Sequence, residues 1–113
     1  LQPMRAAEDI RRWLYERNYP VLDDCVVLDA GRYYQVFSVG QPKAKKQTLP
    51  EGWPSECFLL GYMAFLRREP LMKPLAEKML ATTRRKLRTQ QADALHEQAA
   101  QLEQILKLWE NKP

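Results

Sequence analysis

The C-terminal half of the chain carries a long apolar repeat with the spacing of packed helices. From residue 95 onward, apolar side chains recur at alternating intervals of four and three residues: Leu95, Ala99, Leu102, Leu106 and Trp109. This spacing places them on one stripe of a helix, as in the seam between two packed helices. A similar repeat spans residues 71–90, and polar residues separate the two. The pattern therefore predicts an antiparallel α-helical coiled-coil hairpin.

The N-terminal segment predicts a single helix over residues 5–18. Its apolar residues fall on one helical face, which is the expected buried stripe: Ala6, Ile10, Trp13 and Leu14. Asn18 can adopt the left-handed conformation that ends a helix. We therefore expect the helix to end there.

Two runs rich in β-branched and aromatic residues follow, at residues 20–28 and 32–39. The short loop between them contains Gly31, which permits the positive φ of a tight turn, so the segment predicts a β-hairpin. A two-stranded ribbon is marginally stable by itself in water. We therefore expect these strands to complete a larger α/β sheet.

Residues 41–54 contain three prolines, one glycine and three lysines, which indicates a basic loop. Ser55 can then cap a helix that runs to about Arg68. The predicted organisation has three parts: a sheet-forming part at residues 1–40, the basic loop at 41–54, and a helical coiled-coil arm at 55–113.

Composition excludes several classes of protein. The sequence has no apolar run near the roughly 18 residues that a membrane span needs, and its N-terminus does not read as a signal peptide. Its two cysteines lie far apart and its single histidine, His96, is isolated, so the sequence predicts no metal site. A reduced cytoplasmic protein is expected.

The net charge of +4 is unevenly distributed. Residues 1–40 carry five basic and six acidic side chains, whereas residues 41–113 carry thirteen and eight. This asymmetry favours a polyanionic partner. The alternative is a solvated helix face whose cations pair with carboxylates of the neighbouring helix. Four aromatic residues could stack on bases, although their spacing favours a role in the core: Trp13, Tyr33, Tyr34 and Phe37.

The order of several short motifs resembles the bacterial tRNA (adenine-22-N1)-methyltransferase family. No single motif is specific, but their order and spacing are, and they extend over essentially the whole chain. The motifs are Leu1-Gln2-Pro3, Ile10-Arg11-Arg12-Trp13-Leu14, Asn18-Tyr19, Asp23-Asp24, Gly31-Arg32, Tyr34-Gln35-Val36, Leu60-Gly61-Tyr62 and Glu69-Pro70. The sequence departs from the family pattern at Met4, at Pro20 and at Gln35, and it lacks the family's glycine between Asn18 and Tyr19.

The resemblance implies a Rossmann-like class I methyltransferase that transfers a methyl group from S-adenosyl-L-methionine to tRNA. It places this chain at the C-terminal end of the methyltransferase sheet, with the helical hairpin as an arm that helps to hold tRNA. The family's cofactor loop and catalytic loop belong upstream of Leu1. The chain therefore has no predicted catalytic or cofactor-binding residue, and we expect it to be inactive alone.

The resemblance and the charge pattern together nominate two sets of site residues. Gln2 and Pro3 are expected at the rim of the substrate pocket. The residues expected to contact tRNA are Lys43, Lys45, Lys46, Lys73, Lys78, Arg84, Arg85, Lys86 and Arg88. The alternative function is a non-catalytic coiled-coil module that binds RNA or a protein. We expect a monomer, because each apolar repeat is only about three heptads long and suits an intramolecular hairpin.

Overall fold

The computed structural model describes residues 3–55 and 57–111, with side chains from residue 7 onward. Within these ranges the chain adopts a mixed α/β fold of four helices and one two-stranded antiparallel sheet. The elements are α1 (Pro3–Glu16), β1 (Val21–Asp29), β2 (Arg32–Val39), α2 (Tyr62–Leu66), α3 (Met72–Leu87) and α4 (Asp93–Asn111). Among the described residues, no helix combines the length and apolarity needed to cross a membrane.

Helix α1 ends as predicted but turns a different face to the core. Asn18 has a φ of 62°, and its amide donates to the carbonyl of Tyr15 at 3.1 Å. The amide of Tyr19 then donates to the carbonyl of Leu14 at 2.9 Å. These two bonds form a Schellman motif, in which a left-handed residue lets the chain turn back on the helix.

The stripe predicted for this helix is wrong in two positions. Ile10 and Trp13 are about half exposed, at 50% and 47%. The buried face instead carries Ala7, Arg11 and Leu14, which are spaced by one and two helical turns. Arg11 is fully buried because its guanidinium finds hydrogen-bond partners inside the protein, so a charged residue occupies the centre of the buried face.

The β-hairpin matches its prediction to within one residue at each boundary. Ala30 and Gly31 both have positive φ, at 50° and 77°, which is the geometry of a two-residue type I′ turn. The strands pair from Asp29 opposite Arg32 to Val21 opposite Val39, with one irregularity between Val21 and Asp23. No further strand pairs with them in the part of the chain that is described.

The helix predicted from Ser55 to about Arg68 is wrong over most of its length, because α2 begins only at Tyr62. Residues 57–60 have no helical structure, and all four are buried. A helix buries only one face, so four consecutive buried side chains favour a non-helical segment that crosses the core. The carbonyl of Cys57 accepts the indole N–H of Trp53 at 3.0 Å, and more distant side chains bond to the next two carbonyls.

Helices α3 and α4 form the predicted antiparallel hairpin. Thr83 on α3 accepts a hydrogen bond from Gln98 on α4 at 2.7 Å, while the N-terminal end of α3 faces the C-terminal end of α4. Ala99 and Leu102 are buried as predicted, but Ile105 is more deeply buried than Leu106. The hairpin is not separate from the remainder, because its buried residues belong to one hydrophobic cluster with those of α1 and β1.

Candidate nucleic-acid interface

The C-terminal end of α3 presents a cluster of cations. Arg84, Arg85, Lys86 and Arg88 are all exposed. Arg84 forms an ion pair with Glu103 of α4, with a separation of 2.5 Å. The other three have no ion-pair partner among the described residues. They lie where the helix dipole is negative, which favours cations there without neutralising their charge.

Two other cations that were predicted to contact tRNA make contacts within the protein. Lys73 lies 3.5 Å from Glu110 and so links α3 to α4. The ammonium of Lys78 lies 3.4 Å from the carbonyl of Gly31 and 5.3 Å from the centre of the Tyr33 ring. Lys78 therefore links α3 to the turn of the β-hairpin.

The three loop lysines lie beside the end of α1. The amide of Lys43 donates to the carbonyl of Asn18 at 2.8 Å. The ammonium of Lys46 donates to two carbonyls in the last turn of α1, each at 3.1 Å, and so caps that helix. Lys45 is exposed. The structure therefore separates the predicted cations into one group at the end of α3 and another at the end of α1.

An aromatic surface beside these lysines was not assigned as a site from the sequence. Trp13 stacks on Tyr19, with ring centres 5.7 Å apart and planes 25° apart. The guanidinium of Arg17 lies over the Trp13 ring, 4.5 Å from its centre. We call these three residues the Trp13 platform. Trp13 was predicted to lie in the buried stripe of α1, so an exposed aromatic surface was not expected there. The Trp-x-x-x-Arg spacing on a helix is the sequence signal that indicates the contact between Arg17 and Trp13.

The predicted rim of the substrate pocket cannot be compared with the structure. Gln2 lies outside the described residues. Pro3 is the first residue of α1, and its side chain also lies outside those described. Their role at the pocket rim therefore stays a prediction.

A polar cluster is buried between α1, β1 and the 57–61 segment. Arg11 Nη2 lies 3.2 Å from both carboxylate oxygens of Asp24, and Arg11 Nη1 donates to the carbonyl of Phe58 at 3.2 Å. Burial raises the pKa of Asp24 to about 6, although the charge of Arg11 opposes this shift. Burial also raises the pKa of Tyr62 to about 12.

The close packing around this carboxylate gives the cluster a structural role. A Cβ built on Gly61 would lie 2.2 Å from a carboxylate oxygen of Asp24, so only glycine fits there. Arg11 and Asp24 are 0% and 1% exposed, which leaves no room for a substrate. We therefore assign the pair to the stability of the fold.

We next consider three other kinds of site among the described residues: a metal site, a reactive thiol and a phosphate-binding cleft. No group of three or more His, Cys, Asp or Glu side chains in the described ranges could hold a metal ion. Both cysteines are free, and burial raises the pKa of the Cys57 thiol to about 11. A cleft of about 370 Å³ lies between α1 and α4, and the carboxylates of Glu8, Asp9 and Glu97 line it beside Arg12. Three carboxylates disfavour the binding of a phosphate there.

Comparison with known proteins identifies a fold neighbour. No family model matches the sequence, and no curated protein matches it. An uncharacterized protein from Listeria monocytogenes serotype 4b has a similar solved structure, with a TM-score of 0.61 and 16% sequence identity. The match covers 94% of this chain but 46% of the Listeria chain, so this chain spans about half of that protein's length. At this identity the likeness concerns the fold alone.

Proposed function

We propose that this chain is the C-terminal part of an S-adenosyl-L-methionine-dependent tRNA (adenine-22-N1)-methyltransferase, where it completes the sheet and contributes to tRNA binding. The methyltransferase assignment rests on the ordered motifs of the sequence. The tRNA-binding role rests on one structural observation above all, the exposed cations at the end of α3 that lack carboxylate partners. Each part of the proposal has its own support and its own test.

The outer face of the β-hairpin supports a role in a larger sheet. Val27 lies opposite Tyr34, and Cys25 lies opposite Val36 on the same face. Val27 and Val36 are exposed, and so is Leu22 further along β1. An exposed contiguous apolar face is unusual for a finished monomer and is typical of a surface that another element covers. Helices of a methyltransferase domain would cover this face, since helices cover the faces of an α/β sheet.

The cations at the end of α3 support the binding of tRNA. Phosphate groups are bound mainly by lysine and arginine, and the affinity falls as salt rises. Arg85, Lys86 and Arg88 are free to make such contacts because no carboxylate of the described residues pairs with them. The same observation favours the alternative, a non-catalytic RNA-binding module, because a helical hairpin with free cations needs no methyltransferase domain to bind RNA.

The described residues do not fit S-adenosyl-L-methionine by themselves. Gly31 lies in the hairpin turn and Gly61 packs on Asp24, so neither belongs to a glycine-rich cofactor loop. The acidic cleft between α1 and α4 has no such loop either. The proposal therefore assigns no methyl-transfer step to residues of this chain.

Two variants of equal charge test the tRNA-binding role. Arg85→Ala/Lys86→Ala removes two cations from the end of α3, whereas Arg32→Ala/Lys107→Ala removes one arginine and one lysine from exposed positions elsewhere. We expect the first pair to weaken tRNA binding and to reduce the slope of log K against log salt by about 1.5. The control pair should leave the slope close to that of the wild type. Equal behaviour of the two variants, measured by filter binding across a salt series, would overturn the RNA role.

Methyl transfer tests the enzymatic part. The natural protein that contains this sequence should transfer a labelled methyl group from S-adenosyl-L-methionine to tRNA, and the product should stop a reverse transcriptase at position 22, because N1 methylation blocks Watson–Crick pairing. tRNA binding without methyl transfer would favour the non-catalytic module.

A further inference from the structure

The Trp13 platform is built by the way in which α1 ends. Because Asn18 adopts a left-handed conformation, the chain reverses and brings Tyr19 back against the preceding turn, where its ring stacks on Trp13. Arg17, four residues after Trp13, reaches the same ring from the next turn of the helix. The platform is therefore held by a Schellman motif and by stacking, and its rings are in place before any ligand arrives.

The platform is accessible and lies in a basic environment. Trp13 keeps 47% of its surface exposed despite these two contacts. The backbone amide of Lys43 donates to the carbonyl of Asn18, which brings the loop to this end of α1. The ammonium of Lys46 caps the last helical turn and lies 5.0 Å from the centre of the Tyr15 ring, and the side chains of Lys43 and Lys45 are exposed. Two carboxylates, Asp9 one helical turn before Trp13 and Glu16 three residues after it, stand against the cations of Arg17 and the three loop lysines.

We propose that the Trp13 platform stacks an unpaired nucleobase of an RNA, while the exposed cations of Arg17, Lys43 and Lys45 contact the adjacent phosphates. Every nucleobase has a flat face that stacks on an aromatic ring or on a guanidinium plane, and this surface offers both. Bases within a duplex are already stacked, so the site suits a loop, a bulge or a displaced base. The proposal rests on the proposed RNA-binding function. It adds a second contact region, which lies at the end of α1, to the one at the end of α3.

The charge around the platform favours RNA over a protein surface. An exposed tryptophan can also be covered by an apolar protein face, but burying the neighbouring cations of Arg17 and the loop would then be costly. RNA can do both, because its phosphates pair with the cations and its flat bases cover the tryptophan. An acidic peptide would satisfy the charges alone, and it is therefore included as a competitor in the test.

The intrinsic fluorescence of Trp13 provides a direct readout. Trp53 is 8% exposed, and Trp109 is partly buried with Arg68 lying 3.9 Å from its ring centre. The emission of Trp13 is the spectrum of the unchanged protein minus that of its Trp13→Phe variant. Stacking of a base on Trp13 should therefore quench this difference emission. We expect quenching by a ten-nucleotide single-stranded oligouridylate and much weaker quenching by a duplex of the same length.

Three variants separate stacking from general effects. Trp13→Ala should weaken oligouridylate binding about 10-fold, because it removes the stacking surface. Trp13→Phe keeps a ring and should retain most of the affinity. Ile10→Ala is the matched control, since Ile10 is equally exposed on the same helix but has no aromatic ring. Equal affinities of Trp13→Ala and Ile10→Ala would overturn the proposal, as would a Trp13 effect on an oligoglutamate peptide but not on RNA.

The failure of this proposal can be distinguished from the failure of the proposed function. If Arg85→Ala/Lys86→Ala weakens tRNA binding while Trp13→Ala leaves it unchanged, the platform is overturned and the role of α3 stands. If neither variant changes tRNA binding, both proposals are overturned.

Discussion

The two parts of the hydrophobic core are held together by different forces. Between α3 and α4 the buried side chains are apolar except for Thr83, whose hydroxyl is satisfied by hydrogen bonds to Met79 and Gln98. Between α1 and β1 the central buried contact is the charged pair of Arg11 and Asp24. Apolar packing does not respond to pH and loses stability gradually when a side chain is shortened. A buried ion pair depends on both partners, so the α1–β1 junction is the more fragile of the two.

Removing Arg11 should have the largest effect. In the Arg11→Met variant, the Asp24 carboxylate stays buried without its cation and the carbonyl of Phe58 loses a donor. We expect the free energy of unfolding to fall by about 4 kcal/mol. Urea denaturation at neutral pH measures this loss.

Two further variants sharpen this test. Arg84→Met breaks an ion pair that is about half exposed and should cost less than about 1 kcal/mol. The double variant Arg11→Met/Asp24→Leu removes both charges and should recover most of the stability lost in Arg11→Met. Similar losses in Arg11→Met and Arg84→Met would remove the contrast between the two kinds of ion pair.

A truncation in the helical hairpin should cost somewhat less. Leu102 is fully buried between α3 and α4, and Leu102→Ala leaves a cavity that should lower the free energy of unfolding by about 3 kcal/mol. Leu66→Ala, at an exposed position of α2, should cost less than about 1 kcal/mol. The loss in Leu102→Ala should be the same in acidic and neutral buffer, because no titrating side chain of the described residues is buried in this interface and its two ion pairs, Lys73–Glu110 and Arg84–Glu103, are exposed. A loss that changed with pH would contradict this account.

The pH dependence of the α1–β1 junction should be smaller but specific. Burial raises the pKa of Asp24 from 3.8 to about 6, with Asp23 and Glu69 contributing and Arg11 opposing. The folded protein therefore binds this proton more tightly than the unfolded chain does. The free energy of unfolding should therefore fall by at most about 3 kcal/mol as pH rises from about 4 to about 6. Above about pH 6 it should stay level.

The Asp24→Asn variant isolates this contribution, because an amide does not titrate. Relative to the wild type, this variant should gain stability as pH rises through the same range. Urea denaturation of both proteins at several pH values measures the difference. A difference that stays constant with pH would show that Asp24 does not titrate in this range.

The sequence predicted the local structure well where local patterns decide it. The type I′ turn needs positive φ at two positions, and Gly31 identified one of them. Asn18 identified the end of α1, and the apolar repeat identified both long helices. In each case the determining residues lie within a few positions of the feature that they produce.

The sequence predicted the buried face of α1 and the conformation of residues 57–60 poorly, because partners distant in sequence decide them. Arg11 is buried only because Asp24 and Phe58 accept its hydrogen bonds, and Trp13 is exposed as a consequence. Residues 57–60 were predicted to be helical because Ser55 can cap a helix and because Phe58 and Leu59 fall on one helical face with the apolar residues of α2, yet all four residues are buried. The cations of the candidate site were visible in the sequence, but their partners, such as Glu103 for Arg84, were not.

The non-helical crossing segment also has a consequence for the order of folding. Its carbonyls at Phe58 and Leu59 are bonded by Arg11 and Gln35, which lie 47 and 24 positions away in the chain. The pairing of α3 with α4 needs only a short connection, whereas these bonds require large loops to close, which costs entropy. The helical hairpin should therefore assemble early, and the crossing segment should be fixed last, when α1 and the β-hairpin dock and supply its donors.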